Sequence, residues 1–151
     1  MSDINNNSDA SKLADLTFQL LSQCLEKEHR LAEHHGLTQA EFRCLRLFGT
    51  TECLNNKQIA ERMGLSPSRL TRIIDGLVSK QYIDRKIEPN DRRNMRVTLS
   101  HKGVNIVKQL NSDYVNIHRE ILNEIDEEQH EPLITAMGHF LSALQIWTAK
   151  P

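Results

Sequence analysis

Two short stretches concentrate hydrogen-bonding groups and positive charge: Ser66-Pro67-Ser68-Arg69, continued by Thr71 and Arg72, and Asp91-Arg92-Arg93. Hydroxyls and guanidiniums are the groups that meet phosphate oxygens and base edges. A Ser-Pro start also suits a helix whose first free N–H groups face an anion. At helical spacing Ser66, Ser68, Arg69, Thr71 and Arg72 lie on one face, and Leu70, Ile73, Ile74, Leu77 and Val78 lie on the other. Taken alone, that outer face reads equally well as a solvated surface bearing two arginines.

The distribution of charge favours the nucleic-acid reading. Between Asn55 and Lys102, eleven Lys/Arg face five Asp/Glu, a local charge of +6, whereas the rest of the chain has eight basic and fifteen acidic residues. The formal net charge of −1 therefore conceals a basic module in an acidic remainder, the footprint of a phosphate-binding face. Binding to an anionic membrane would need an apolar wedge beside those charges, and the exposed face has none.

The elements that must position these groups follow from periodicity and caps. Leu13, Leu16, Leu20, Leu21, Cys24, Leu25 and Leu31 mark a long amphipathic helix ending at Gly36. Thr38 to Glu41 has the form of a capping box and opens a helix with Phe42, Leu45 and Phe48 inward, closing near Gly49. Asn55 and Gln58 start a short helix that stops at Gly64, and Ser66-Pro67 starts one that runs to about Gln81. Alternating runs at Ile83, Arg85, Ile87 and at Met95, Val97, Leu99 flank the turn-forming Pro89 to Asn94, which predicts a hairpin with a basic tip. Ser100 caps a long helix, and Asp126 is read as the cap of the last one, which carries Pro132 in its first two turns. Residues 1–8 are Asn/Ser/Asp-rich and read as a flexible tail. The fold class is thus mainly α with a small β-hairpin wing, a winged helix-turn-helix with long N- and C-terminal helices.

At 151 residues, 38% of them hydrophobic, the chain is the size of one domain and too apolar to be disordered. The polar N-terminus and the lack of an apolar run of about 20 residues predict a soluble, cytoplasmic protein with no membrane partner. Three cysteines, Cys24, Cys44 and Cys53, form no CxxC, so neither a disulfide framework nor a zinc ribbon is expected. Cys24 and Cys44 fall on helical apolar stripes, where a thiol acts as a small hydrophobe. Glu33-His34-His35 is the one dense cluster of metal-ligating types, but adjacent histidines project about 100° apart and do not chelate together. A zinc site would need a distant third ligand such as His118, and no metal or other cofactor is expected. Gly-rich phosphate loops, GxSxG and HExxH are all missing, so no enzyme is predicted.

Leu37 to Gly103 resembles the winged helix-turn-helix of the multiple-antibiotic-resistance regulators, the MarR family. Asp91-Arg92-Arg93-Asn94-Met95-Arg96-Val97-Thr98-Leu99-Ser100, followed by Gly103, is similar to that family's wing signature of D-x-R, a strand ending in L-[ST], and a glycine near the next helix start. The resemblance implies a single domain over residues 1–151, with a DNA-binding lobe at 37–102 and dimerisation helices at 9–36 and 103–148. It implies a homodimeric transcription regulator, a repressor, on pseudo-palindromic double-stranded DNA. Ser66, Pro67, Ser68, Arg69, Thr71 and Arg72 would then serve the major groove. Arg93 would enter the minor groove, oriented by Asp91, with Arg92 on phosphate. It further implies release by a small aromatic or phenolic effector, for which Phe18, Cys24, His35, Phe48 and Tyr114 are candidate lining residues. The family's peroxide-sensing cysteine sits nearer the start of the first helix than Cys24, which argues against oxidation sensing. The alternative is a helical dimeric adaptor that keeps the fold without binding DNA.

Overall fold

The computed structural model describes the backbone of residues 2–151 and the side chains of residues 7–91 and 93–151. The chain divides into two compact units, Met1–Asn111 and Ser112–Pro151. The first helix, α1, spans Ser2–His34. The tail expected over residues 1–8 is therefore helical from Ser2 onward, while Met1 lies outside the described residues. Once a helix is nucleated, each further residue adds one backbone bond, so the ladder extends through a polar stretch with no apolar stripe of its own.

In the first unit the caps form where the residue types place them. Thr38 and Glu41 close a reciprocal capping box at the start of α2 (Gln39–Arg46), with Glu41 N–H donating to Thr38 Oγ1 at 3.1 Å and Thr38 N–H donating to Glu41 Oε2 at 3.0 Å. Asn55 and Gln58 form a second box at α3 (Asn56–Met63), whose bonds are 2.8 and 3.0 Å. Gly64 ends α3 at φ 63°, a left-handed position that glycine occupies without a Cβ clash. Two residues later Ser66 caps α4 (Pro67–Ser79). That helix stops short of Gln81 because Gln81 is itself left-handed, at φ 66°.

Three strands complete the unit: β1 (Cys53–Asn55), β2 (Ile83–Glu88) and β3 (Asp91–Leu99), antiparallel in the order β1-β3-β2. The hairpin turn is only Pro89-Asn90, since Glu88 pairs with Asp91. The longer turn expected over Pro89 to Asn94 is thus corrected: Asp91, Arg92 and Arg93 begin β3. β1 was not foreseen, because only Leu54 of its three residues is buried and nothing alternates. Phe42, Cys44, Leu45, Phe48, Ile59, Ile74, Leu77, Ile83, Val97 and Leu110 fill a core that brings α2, α3, α4, the sheet and the start of α5 (His101–Asn123) together.

The second unit holds the rest of α5, a 3-10 turn at Glu127–Gln129, and α6 (His130–Thr148). Asp126 makes no side-chain cap bond, and α6 begins at His130 rather than at the expected Asp126 cap. The bonding that fastens this corner comes from the other direction: His130 Nε2 lies 2.8 Å from the Leu122 carbonyl and 2.9 Å from that of Ile125. Leu122 lies in the last turn of α5 and Ile125 two residues past its end, so His130 ties α6 to the chain leaving α5. No residue of α6 is buried.

Candidate nucleic-acid interface

Leu70, Ile74 and Leu77 anchor α4 in the core, each at most 3% exposed. That leaves Ser66, Pro67, Ser68, Arg69, Thr71 and Arg72 exposed on the outer face, as their spacing predicts. Their hydroxyls are not equally available. Ser66 Oγ accepts from Arg69 N–H at 3.4 Å and lies 3.3 Å from Ser68 Oγ, while Thr71 Oγ1 donates to the Pro67 carbonyl at 2.9 Å. Ser66 and Thr71 thus shape the helix start and have lone pairs left to offer, whereas Arg69 and Arg72 have no ion-pair partner among the described residues.

The wing is built around a break in strand pairing. Ile87 pairs with Met95, but the next residue, Glu88, pairs with Asp91, so Arg92, Arg93 and Asn94 have no partner on β2. Asp91 Oδ1 accepts from Arg93 N–H at 3.0 Å, an Asx turn that a D-x-R spacing makes natural. From the β1 side of β3, Asn56, the first residue of α3, donates through Nδ2 to the Arg93 carbonyl at 3.2 Å and accepts at Oδ1 from Met95 N–H at 3.1 Å. Arg93 is exposed. The side chain of Arg92 lies outside the described residues. Two other wing cations are committed elsewhere: Arg85 pairs with Asp75 of α4, and Arg96 with Glu88 at 3.1 Å.

Two joints hold α4 against its neighbours. Glu41 is buried, and its Oε2 receives Lys80 Nζ at 2.5 Å, while the same ammonium donates to the Gly36 carbonyl at 2.9 Å. A Cβ at Gly76 would stand 2.4 Å from Glu41 Oε1, so glycine makes room for this carboxylate on α4. At the far end Ser100 Oγ donates to the Gln81 carbonyl at 2.6 Å and caps Gly103 N–H at 2.9 Å. A Cβ at Gly103 would stand 1.9 Å from the Tyr82 carbonyl oxygen. The glycine of the wing signature is therefore a packing requirement where α5 crosses the chain leaving α4.

The described cavities of the first unit are not lined by Phe18, Cys24, His35 or Phe48. Phe48 is buried in the core, Phe18 is 78% exposed, Cys24 is exposed, and His35 and Tyr114 are half-buried. The first unit instead has an open groove of about 800 Å³ whose lining includes Leu25, Phe42, Met63, Ile73, Arg43, Arg62, Arg69 and Arg72. Sequence periodicity gave no sign of it, because its walls come from four helices. The rings of His34 and His35 meet edge to face at 5.1 Å. Among the described residues no group of three or more His, Cys, Asp or Glu could hold a metal ion.

A helix-turn-helix whose basic outer face is followed by a β-hairpin wing defines the winged helix-turn-helix class of DNA-binding transcription regulators. Residues 37–95 match the sequence model of the MarR family. The HTH-type transcriptional regulator SarZ of Staphylococcus haemolyticus is 24% identical over 133 residues, which are 88% of this chain and 89% of that protein. A mutant of MarR from E. coli superposes with a TM-score of 0.75 at 22% identity, over 85% of this chain and 96% of that one. The same mutant complexed with operator DNA gives 0.65 at 23% identity, over 83% and 91%. Over residues 37–95, the helix-turn-helix and most of the wing, the chain is similar to the MarR family of transcription regulators.

Proposed function

We propose that the protein is a homodimeric repressor that occludes a promoter by binding a pseudo-palindromic operator, and that it works in the cytoplasm. The observation that carries the reading is the exposed face of α4, where Arg69 and Arg72 stand without ion-pair partners among the described residues on a helix whose opposite face is locked into the core. In this reading Ser66, Ser68, Arg69, Thr71 and Arg72 meet the major groove, and Pro67 presents the helix start. Arg93 enters the narrow minor groove, where an arginine is drawn to the enhanced negative potential of A·T tracts, while Arg92 contacts phosphate. The DNA complex of the E. coli relative supports the choice of ligand. Among the described residues no helix is long and apolar enough to cross a membrane.

Pairing of two chains is supported by the long exposed apolar faces. Leu13, Leu16, Phe18, Leu20 and Leu21 of α1 are each 46–78% exposed, and Ile134, Met137, Leu141, Ile146 and Trp147 of α6 are 55–68% exposed. Surfaces of that kind belong in an interface. One recognition helix and one wing cover little DNA, so two copies reading two half-sites gain the missing specificity.

Release by a small aromatic or phenolic effector completes the reading. The apolar and arginine-lined groove suits an aromatic anion, and since Arg69 and Arg72 line it, such a ligand competes with DNA for the same guanidiniums. Duplex affinity measured against salt tests the whole proposal: the log–log plot should fall steeply, with a slope of about −0.9 per phosphate contacted. Arg69→Ala should weaken binding and flatten that slope if Arg69 meets phosphate. A chain that binds no duplex, or binds without salt dependence, overturns the reading. Salicylate-type acids should raise the melting temperature of the native dimer and lower its DNA affinity.

A further inference from the structure

The side chain of Asn56 occupies a place in the sheet that a backbone would otherwise fill. Strand β1 pairs Cys53 with Thr98, Leu54 with Val97 and Asn55 with Arg96; the next step of that register would set Asn56 opposite Met95. At that residue the chain turns into α3, and its backbone leaves the sheet. The carboxamide, chemically a peptide group, continues the ladder in its stead: it bonds the Arg93 carbonyl and the Met95 N–H, which share one edge of an extended strand.

The register break has removed β2 from residues 92–94, and the Arg93 N–H, on the same edge as its carbonyl, goes to Asp91. Both backbone polar groups of Arg93 are therefore held by side chains, one from the wing itself and one from α3. Without Asn56 the backbone of Arg93 would be held by Asp91 alone, a residue of the same wing.

We infer that Asn56 is the positioning residue of the wing arginine, coupling the start of α3 to the direction in which Arg93 leaves the sheet. The inference rests on the reading of Arg93 as a DNA contact. Asn56 is half-buried and uncharged, so it acts through Arg93 and contributes no phosphate contact of its own.

The test uses the full-length protein and a duplex selected by it from a random-sequence pool. Asn56→Ala should weaken binding roughly tenfold, the order expected when the hydrogen bonds that hold one contact are lost, with the salt slope unchanged. Arg93→Ala should weaken binding as well and relax any preference for A·T at the wing position. Adding Asn56→Ala to Arg93→Ala should cost nothing further, because the residue to be positioned is gone. Asn56→Asp keeps the acceptor for Met95 N–H but sets a carboxylate oxygen against the Arg93 carbonyl, and should bind as poorly as the alanine variant. Hydrogen exchange at the Met95 amide should accelerate in Asn56→Ala and not in Asn56→Asp, a readout independent of DNA. Full affinity in Asn56→Ala, or additive losses in the double variant, overturns the inference alone. Failure to select any duplex overturns the DNA-binding reading, and the inference with it.

Discussion

The winged lobe and the last helix use apolar residues in opposite ways. In the lobe, Leu45, Ile59, Leu77 and Val97 have no exposed surface, the first three carried by helices with side-chain caps and Val97 by the middle strand of the sheet. In α6, Leu133, Ile134, Met137, Leu141, Leu144, Ile146 and Trp147 are all 36% or more exposed, although the helix is at least as apolar. A helix greasy around much of its circumference is stable only when surrounded. The lobe is specified by what the chain itself supplies, whereas α6 presents apolar surface that the second copy of the proposed homodimer would cover.

Paired truncations put this contrast at its largest. Leu77→Ala removes a side chain with no exposure and should cost about 2–5 kcal/mol, read as a drop in unfolding midpoint that is the same at every protein concentration. Leu141→Ala removes one that is 55% exposed. Its effect should grow on dilution, because it acts on the association constant and on stability only through it. An effect of Leu141→Ala that is large and indifferent to concentration would erase the distinction between the two regions.

A smaller effect sharpens the picture of the lobe. Gly103→Ala must displace the Tyr82 carbonyl, which sits where the new Cβ would go, and overpacking of that kind costs about 1–3 kcal/mol. The carbonyl also accepts from Ser100 N–H at 3.0 Å, so it cannot retreat without loosening the end of β3. Unfolding in denaturant should show the loss with an unchanged m-value, and a wild-type midpoint would mean that α5 crosses this turn less tightly than the structure has it.

What the sequence could disclose follows the same division. Thr38 with Glu41, Asn55 with Gln58, Ser66 with Pro67, and Ser100 with Gly103 are local signals, each complete within four residues, and they place four helix starts correctly. The exposed basic face of α4 was legible for the same reason. The wing was legible only in part: alternation indicated a hairpin, but the two-residue turn and the unpaired Arg92 to Asn94 depend on a register that no local pattern encodes. Asn56 was silent, since an asparagine beside a helix cap reads as part of the cap. Its bonds to Arg93 and Met95 span 37 and 39 residues. Asp126 misled in the other direction, an acid in front of an apolar run whose helix starts four residues later.

The cysteines measure the contrast at the finest scale. Cys24 and Cys44 both lie on apolar stripes, yet Cys44 is buried, and Cys24 is exposed on α1 one turn beyond Leu20. Burial, reinforced by the negative charge of Glu41, pushes the Cys44 thiol up to about 12 from its ordinary 9.0. Its thiolate is then roughly a thousandfold scarcer near pH 8 than that of an unperturbed thiol. Iodoacetamide should accordingly modify Cys53 at any protein concentration and leave Cys44 untouched until the lobe unfolds. Raising the pH toward 10 should leave Cys44 unmodified, because its deprotonation waits for about pH 12. Cys24 separates the two kinds of surface: it should label freely in dilute solution and become protected as concentration rises, when a second chain covers the face bearing Leu20 and Leu21. Mass spectrometry of the labelled peptides reads all three at once. Equal labelling of Cys24 at every concentration would show that this stretch of α1 lies outside the interface, while labelling of native Cys44 at the rate of Cys53 would show that the lobe opens without its partner.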